Sequence, residues 1–262
     1  MTLLETTHLR EQGSELAGLL AAKADERIAA CIPARNEATT IGTIAATVQG
    51  LHMLGLIDDV VVIDDGSTDN TTASAQAEGA RVVSSRGGPG KGQALAVALD
   101  ATDAEILVFL DADVTNFAAG FVIALIAPLL ADPTVQLAKA TYRRPLDGAA
   151  DEGGRVTELL ARPLLRRFFP DLGDLAQPLA GECALRRTAI AGITLADGYG
   201  IEIGLLIDLY RRHGRDAIIE VDLGERVHRN RPLHDLRPHA DDVLAAVADR
   251  IDPSAWNRSH HP

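Results

Sequence analysis

Short runs of β-branched and apolar residues alternate with helix-like patterns along most of this 262-residue chain. The runs predict strands or extended segments at Arg27–Ile32, Val60–Ile63, Val82–Ser84, Ile106–Leu110, Val135–Tyr142, Glu182–Arg187 and Ala217–Val221. The helix-like patterns predict helices at Ala38–Leu51, Thr71–Ala80, Gln93–Ala101, Phe117–Leu130, Gly153–Pro170, Ile201–His213 and Asp235–Ile251. Strands that alternate with helices form a parallel sheet with helices on both of its faces. We therefore expect an α/β fold with a mostly parallel, doubly wound sheet.

The chain is expected to form a single domain between two short terminal elements. Its length would allow one large α/β domain or two small ones, but the sequence contains no internal repeat, low-complexity tract or linker. We assign residues 1–27 to an amphipathic helix, because the leucines of this segment fall on one helical face. Residues 28–233 form the domain, with halves at 28–114 and 115–233, and residues 234–262 form a last helix and a frayed tail.

The formal charge of −12 restricts the partners that the chain can bind. An acidic surface repels nucleic acid, so we expect no nucleic-acid partner. A small anionic substrate would need a local concentration of positive charge, and the second half of the chain contains one. The basic residues there include Arg143, Arg144, Arg155, Arg162, Arg166, Arg167, Arg226, Arg229 and Arg231. For Arg166 and Arg167 we prefer the simpler interpretation of a solvated helix face.

The sequence also argues against a membrane protein. No apolar run is long enough to span a bilayer, and Phe117–Leu130 has the length of an ordinary helix. The first 27 residues lack the basic-then-apolar order of a signal peptide. Cys31 and Cys183 do not have the spacing of a metal site, and Cys31 is expected to be a core residue. We expect a cytoplasmic protein with no membrane partner.

Polar or glycine-rich segments follow four of the predicted strands. They are Pro33–Glu37, Asp64–Asp69, Arg86–Gly92 and Asp111–Asp113. Each of them alone could be a turn, a helix cap or a flexible loop. In open α/β sheets, however, ligands bind beyond the carboxyl ends of the strands. The four segments would meet at that edge of the sheet, which favours a binding site over four unrelated turns.

Two of these segments have residue types that suit particular ligands. Side chains alternate along a strand, so Asp111 and Asp113 can point to the same side at its end. Two carboxylates this close favour a cation between them, which indicates a metal site. The glycine-rich segment is not a Walker A loop, because Lys91 is followed by Gly92 rather than by Ser or Thr. Glycine-rich backbone with one lysine still suits a diphosphate.

The motifs of the first half resemble the nucleotide-sugar-dependent glycosyltransferases of the GT-A fold. The resemblance is carried by Ile32–Glu37, Val62–Asp69, Gly90–Gly92 and Phe109–Asp113. Motifs of the second half, which are more specific, resemble the actinobacterial glucosyl-3-phosphoglycerate synthases. These are Thr141–Leu146, Gly153–Glu158, Gln177–Glu182, Gly198–Gly204 and His228–Leu233. The match runs from about Ile28 to Leu233, so the resemblance implies a single GT-A domain with a donor half and an acceptor half.

The resemblance implies retaining transfer of glucose from UDP-glucose to 3-phosphoglycerate, with Mg²⁺ or Mn²⁺ as cofactor and a homodimer as the assembly. The donor-binding residues would be Pro33, Ala34, Arg35, Asn36, Glu37, Ser67, Lys91, Asp111, Ala112, Tyr199, Glu202, Arg226 and Arg231. Asp113 and His228 would ligate the metal, and Gly154, Arg155, Val156, Thr157 and Asn230 would bind the acceptor. Asp113, Glu202 and Lys91 would be catalytic. A carboxylate with an imidazole suits Mn²⁺, whereas Mg²⁺ prefers oxygen ligands.

Several functional alternatives remain open from the sequence. Retention without an evident pair of nucleophile and base favours front-face attack, in which the leaving phosphate helps to take the acceptor proton. A double displacement would need Glu202 as its nucleophile. The sugar is also open, because Ala38 and Cys183 depart from the family pattern, and a GDP-mannose enzyme or another acidic acceptor is the second hypothesis. A nucleotidyltransferase and a non-catalytic sugar-nucleotide sensor agree less well with the motifs.

Overall fold

The computed structural model describes residues 16–85, 90–143, 145–146, 149–150, 154–227, 236–252 and 254. A seven-stranded sheet is formed by β1 (Ile28–Ala34), β2 (Asp59–Asp64), β3 (Arg81–Ser84), β4 (Ile106–Phe109), β5 (Leu137–Arg143), β8 (Cys183–Arg186) and β9 (Ile218–Glu225). Its strand order is β3-β2-β1-β4-β8-β5-β9. Two short strands, β6 (Pro145–Leu146) and β7 (Ala149–Ala150), pair separately as an antiparallel hairpin that the sequence did not predict.

The predicted mostly parallel sheet is confirmed, with one strand in the opposite direction. The pairs β1–β2, β1–β4, β2–β3 and β5–β9 are parallel, whereas β8 lies antiparallel between β4 and β5. At its first residue, Cys183 is in register with Phe109 of β4 and with Lys139 of β5. Because β8 runs backwards, its beginning lies near the carboxyl ends of its parallel neighbours. The residues just before β8 therefore reach the edge at which ligands bind.

The helices follow the predicted order. They are α1 (16–23), α2 (Ile41–Met53), α3 (Thr71–Ala77), α4 (Lys91–Ala101), α5 (Ala119–Ala131), α6 (Arg162–Phe168), α7 (Ile201–His213) and α8 (Arg237–Ala248). The helix predicted at Gly153–Pro170 is a π-helical stretch, Thr157–Ala161, that continues into α6. Residues 1–15 of the predicted N-terminal helix and most of the predicted tail lie outside the described residues. No helix in the described part is both long and apolar enough to span a bilayer.

Helices cover both faces of the sheet, as predicted. Successive residues of β1 show this, because Ile28, Ala30 and Ile32 belong to one apolar cluster and Ala29 and Cys31 to the other. The first cluster contains buried residues of α2 and α5, and the second contains those of α4, α7 and α8. Cys31 is buried as expected, and this burial raises the pKa of its thiol to about 12. Strands that are buried on both faces explain the uninterrupted apolar runs of the sequence.

We expect Gly92→Ala to destabilise the protein. Gly92 lies in the first turn of α4, where an added Cβ would overlap the carbonyl oxygen of Ala196. Backbone cannot move aside as a flexible side chain can, so overpacking should cost at least about 1–3 kcal/mol. The measurement is thermal or urea unfolding. Gly50→Ala is the matched control, because Gly50 is inside α2 with open space around it and the change should stabilise the protein by about 0.5–1 kcal/mol. Equal stabilities of the two variants would contradict this prediction.

Candidate functional site

The loops after β1 and β2 are joined by hydrogen bonds. The backbone N–H of Asn36 donates to Ser67 Oγ at 3.0 Å, and the N–H of Thr68 donates to Asn36 Oδ1 at 2.8 Å. Asn36 has a left-handed conformation with φ of +56°, which turns the chain before α2 begins at Ile41. The N–H of Gly90 donates to Asp65 Oδ2 at 3.1 Å and joins the third loop to the same edge. The predicted convergence of these strand ends is therefore observed, and residues 86–89 lie outside the described part.

The predicted residues of the first loop differ in how they could contact a ligand. Pro33 lines the cleft described below, and the side chain of Arg35 is exposed. Ala34 is buried, and its carbonyl accepts a hydrogen bond from Asp65 N–H at 2.9 Å. Glu37 N–H donates to Thr71 Oγ1 at 2.8 Å. The loop thus combines fixed backbone with exposed side chains, which suits contacts to a nucleoside.

Lys91 links the ends of two elements that are far apart in sequence. Its Nζ lies 3.0 Å from Asp111 Oδ1, just beyond β4, and 3.1 Å from Glu202 Oε1, in the first turn of α7. Burial alone would lower the pKa of Lys91, but the two carboxylates outweigh burial and raise this pKa well above 10.5. Lys91 is therefore a permanently charged ammonium group at the edge of the sheet. The sequence predicted all three residues of this cluster.

Arg226 approaches Asp111 from the side opposite to Lys91. Its Nη2 lies 2.6 Å from Asp111 Oδ2 and 3.3 Å from Asp113 Oδ1. Burial alone would raise the pKa of Asp111, but the charges of Lys91 and Arg226 reverse this effect and hold the pKa well below 3.8. Asp111 is thus ionised between two cations. The predicted donor residues Lys91, Asp111 and Arg226 form one charged cluster.

Asp113 is a partly exposed carboxylate with few described protein contacts, as a metal ligand would be. Its side chain is 25% exposed, and its described charged contact is the 3.3 Å approach of Arg226 Nη2. The described residues include no cluster of three or more ligands of the types that hold metals. Divalent ions that bind nucleotides commonly use one or two carboxylates and complete their shell with phosphate oxygens and water. One accessible carboxylate beside the cationic groups of Lys91 and Arg226 fits that pattern for Mg²⁺ or Mn²⁺.

Hydrogen bonds hold the chain at the end of β9 against Thr115 and Asn116, which follow Asp113. The carbonyl of Val227 accepts hydrogen bonds from Thr115 N–H at 3.0 Å and from Thr115 Oγ1 at 3.1 Å. Asn116 accepts from Val227 N–H at 2.9 Å and donates to the carbonyl of Glu225 at 2.7 Å. The predicted ligand His228 is the residue that follows Val227, and it lies outside the described residues together with Asn230 and Arg231. These hydrogen bonds therefore hold Val227, the last described residue before the predicted metal and acceptor segment, against the residues that follow Asp113.

The predicted acceptor segment, Gly154–Thr157, leads into the π-helical stretch before α6. Gly154 has a φ of +105°, a conformation that favours glycine, and its carbonyl accepts from Glu158 N–H at 2.9 Å. Arg155 is exposed, Val156 is half-buried and Thr157 is buried. Single π-helical turns occur frequently at functional sites. The geometry offers an exposed arginine beside the N-terminal end of a helix, which is a suitable place for a phosphate or carboxylate.

Tyr199 and Glu202 are held at the start of α7 by α8. Tyr199 N–H donates to Asp242 Oδ2 at 2.9 Å, and the Tyr199 ring stacks on His239 with a centroid distance of 3.4 Å. Gly198, with φ of +54°, leaves room for the Asp242 carboxylate, which an added Cβ would overlap. These contacts fix the turn that presents Glu202 to Lys91.

A cleft beside this cluster contains residues that the sequence analysis missed. It is lined by polar groups of Lys91, Asp111, Lys139, Gly181 and Glu202 and by apolar side chains such as Leu95, Phe109 and Leu206. Lys139 is buried in β5, donates to the carbonyl of Ala180 at 2.6 Å and has a pKa that burial lowers. An added Cβ at Gly181 would overlap Lys91 Nζ and lie 2.7 Å from Asp111 Oδ1. A lysine within an apolar strand was the available sequence signal for Lys139.

Comparisons with known proteins agree with this geometry. The sequence model described as Glycosyl transferase family 2 matches residues 29–191. A glucosyl-3-phosphoglycerate synthase of Mycobacterium tuberculosis (strain CDC 1551 / Oshkosh) is 45% identical over 261 residues, covering 94% of this chain and 80% of the relative. The synthase of Petrotoga mobilis (strain DSM 10674 / SJ95) is 38% identical, covering 88% of this chain and 75% of the relative.

Solved structures match most of the chain. A crystal structure of the Mycobacterium tuberculosis synthase with Mn²⁺, UDP-glucose and phosphoglyceric acid has a TM-score of 0.84 and 44% identity, covering 91% of this chain and 85% of that chain. A structure of the same synthase with Mg²⁺ and UDP has a TM-score of 0.83 at the same identity and coverage. The predicted GT-A fold is confirmed. The chain belongs to glycosyl transferase family 2 and, within that family, to the glucosyl-3-phosphoglycerate synthases.

Proposed function

We propose that this chain is a hexosyltransferase that moves glucose from UDP-glucose to the hydroxyl of 3-phosphoglycerate with retention of configuration. The observation that carries the proposal is the match to a synthase structure that holds Mn²⁺, UDP-glucose and phosphoglyceric acid. This chain's own site supports the proposal as well, because Lys91, Asp111 and Arg226 form a charged cluster beside the accessible Asp113. A cluster of this kind suits a nucleoside diphosphate and its divalent ion.

The donor would occupy the edge formed by the ends of β1, β2 and β4. The two joined loops that contain Asn36 and Ser67 would hold the nucleoside, and Lys91 and Arg226 would supply positive charge to the diphosphate. Asp113 and His228 would hold Mg²⁺ or Mn²⁺, both of which accept ligands of these types. When bound, the ion supplies charge stabilisation to the departing nucleotide. The acceptor's phosphate and carboxylate would lie against Gly154–Thr157 and Asn230.

The surroundings of Glu202 support front-face attack over double displacement. The carboxylate of Glu202 is paired through Oε1, which lies 3.1 Å from Lys91 Nζ, and the Glu202 side chain is only 10% exposed. Pairing with an ammonium group reduces the nucleophilicity of a carboxylate. Glu202 would therefore orient sugar hydroxyls, and a phosphate oxygen of the leaving nucleotide would take the acceptor proton.

The test is nucleotide release from a panel of UDP-, GDP- and ADP-sugars, with and without 3-phosphoglycerate and Mg²⁺ or Mn²⁺. We expect acceptor-dependent release of UDP from UDP-glucose that stops when the metal is chelated. NMR of the product should show the α-anomer, since UDP-glucose is an α-glucoside. Preference for GDP-mannose would favour the alternative donor. If no donor is turned over in an acceptor-dependent way, the proposed function is wrong.

We further propose that the chain acts as a cytoplasmic homodimer. Leu159 is 79% exposed on the π-helical stretch that packs against α8, where Leu244 is also exposed. Apolar side chains on neighbouring elements suit contact with a second copy. Both cysteines are unpaired thiols, which is typical of a reducing compartment. Light scattering coupled to size exclusion should give twice the monomer mass of 27.7 kDa, and a monomer mass would contradict the dimer.

A further inference from the structure

A fully buried carboxylate lies behind the charged cluster. Glu182 is 0% exposed, and within the described part of the chain neither side-chain oxygen accepts a hydrogen bond. Arg226 Nε lies 3.2 Å from Glu182 Oε2, close enough for an ion pair but not aligned for a hydrogen bond. Burial raises the pKa of Glu182 to about 7. A buried acid without hydrogen bonds is costly and rare, so its presence calls for a reason other than packing.

Arg226 connects this carboxylate to the predicted metal site. Its Nε faces Glu182, its Nη1 donates to the Tyr142 hydroxyl at 3.2 Å, and its Nη2 contacts Asp111 and Asp113. The guanidinium carbon also lies 4.9 Å from the centre of the Tyr142 ring. A guanidinium group keeps its charge at every working pH. Arg226 therefore competes permanently with any other cation for the carboxylate of Asp113.

Glu182 is placed to moderate this competition. Its carboxylate lies at Nε, whereas the aspartates lie at Nη2, so Glu182 and the aspartates share the positive charge of one arginine. The backbone of Glu182 is fixed, because its carbonyl accepts from Ala140 N–H at 3.0 Å and β8 begins at the next residue. Loss of the charge would let Arg226 pair more fully with Asp113 and would make the potential there less negative.

We propose that Glu182 is a positioning residue whose carboxylate holds Arg226 back, so that Asp113 stays available to the divalent ion. The inference rests on the metal dependence of the proposed function. Glu182 does not itself contact the ion, the donor or the acceptor in this proposal. The residue acts through Arg226, as outer-shell partners of metal ligands commonly act through the groups they orient.

The test compares Mn²⁺ affinity, measured by electron paramagnetic resonance in the presence of UDP, between the wild type and Glu182→Gln. It is run at about pH 8, where a carboxyl group with a pKa of about 7 is mostly ionised. Glutamine keeps the shape of the side chain and removes its charge. We expect Mn²⁺ to bind about 10–100-fold more weakly to the variant. The melting temperature should not fall, because burial penalises the charged carboxylate by more than the ion pair with Arg226 stabilises it. A lower melting temperature with unchanged Mn²⁺ affinity would show a merely structural role and overturn the proposal.

Two further variants separate this mechanism from others. Glu182→Asp keeps the charge but is one methylene too short for the 3.2 Å contact, so its affinity should be intermediate. Wild-type affinity in this variant would also overturn the proposal, and the variant serves if Glu182→Gln does not fold. In an Arg226→Met background, Glu182→Gln should change the affinity less than twofold. An undiminished effect there would show that Glu182 does not act through Arg226.

Glu26→Gln is the matched control. Glu26 Oε1 lies 2.7 Å from Nη1 of Arg186, at the opposite end of β8, so this variant should keep wild-type Mn²⁺ affinity. The readout needs no acceptor and no turnover. If the wild type bound no Mn²⁺, the proposed metal dependence would be wrong. If the wild type bound Mn²⁺ and Glu182→Gln bound it equally well, only the inference about Glu182 would be wrong.

Discussion

Asp113→Asn is expected to lower kcat about 10²–10³-fold, the range found when one group that stabilises transition-state charge is removed. Asparagine has almost the same shape as aspartate, so the fold should persist, but its amide is a poor ligand for a hard cation. Asp113 is the accessible carboxylate of the cluster, and Arg226 Nη2 approaches it at only 3.3 Å. Loss of this charge would leave the divalent ion with one fewer anionic ligand. The ion would then be held less tightly where it neutralises the negative charge of the diphosphate.

The measurement pairs steady-state kinetics at saturating UDP-glucose with Mn²⁺ titration in the presence of UDP. Added Mn²⁺ should recover part of the activity if the ion is bound weakly, but none if it is not bound. Asp103→Asn is the control, because Asp103 pairs with Arg27 at the surface and precedes β4 at its amino end. Wild-type Mn²⁺ affinity in Asp113→Asn would remove Asp113 from the metal shell.

Local patterns predicted much of the fold because they report burial directly. The apolar run Ile106–Leu110 corresponds to β4, which is buried throughout, and α7 begins and ends at the predicted residues. The boundaries of α2 were less accurate, since the left-handed Asn36 and the turn after it delay the helix to Ile41. The direction of β8 could not be predicted, because its residues would suit a parallel or an antiparallel strand equally well.

The site was predictable where its residues belong to strand ends. Parallel strands bring their carboxyl ends to one edge, so the sequence alone was enough to place Lys91 and Asp111 together. The contact between Glu182 and Arg226 could not be predicted from the sequence. Glu182 approaches the site only because β8 runs antiparallel, and its partner Arg226 comes from the end of β9. Contacts of this kind depend on tertiary arrangement, which no local pattern contains.

Lys91→Met is expected to abolish detectable donor binding and also to destabilise the fold. Methionine fills a similar volume but leaves the carboxylates of Asp111 and Glu202 without their shared cation. Breaking a buried ion pair costs about 3–5 kcal/mol, and we expect about 2–3 kcal/mol here because the Lys91 side chain is 31% exposed. Isothermal titration with UDP-glucose and urea unfolding measure the two effects.

Lys23→Met is the control that separates stability from function. Lys23 Nζ lies 2.8 Å from Asp58 Oδ2 and its side chain is more deeply buried than that of Lys91, but this pair lies at the opposite edge of the sheet, before β1 and β2 begin. The variant should lose stability and keep the donor affinity of the wild type. Equal loss of donor affinity in both lysine variants would mean that Lys91 acts only through the fold.

The pH dependence of stability gives an independent check on the Lys91 pair. The pKa of Asp111 is held below 3.8. The ionised Asp111 therefore contributes to folding stability above about pH 4, and this contribution is lost as the pH falls through the lowered pKa. The pKa of Lys91 is raised above 10.5. The charged Lys91 therefore contributes to folding stability below this pH, and the contribution is lost only at more alkaline pH. The stability difference between the wild type and Lys91→Met should therefore be largest between about pH 4 and about pH 10. It should shrink on acidification, since protonated Asp111 no longer needs a cation. A difference that stayed constant down to about pH 2 would show that lost packing, rather than lost charge, destabilises the variant.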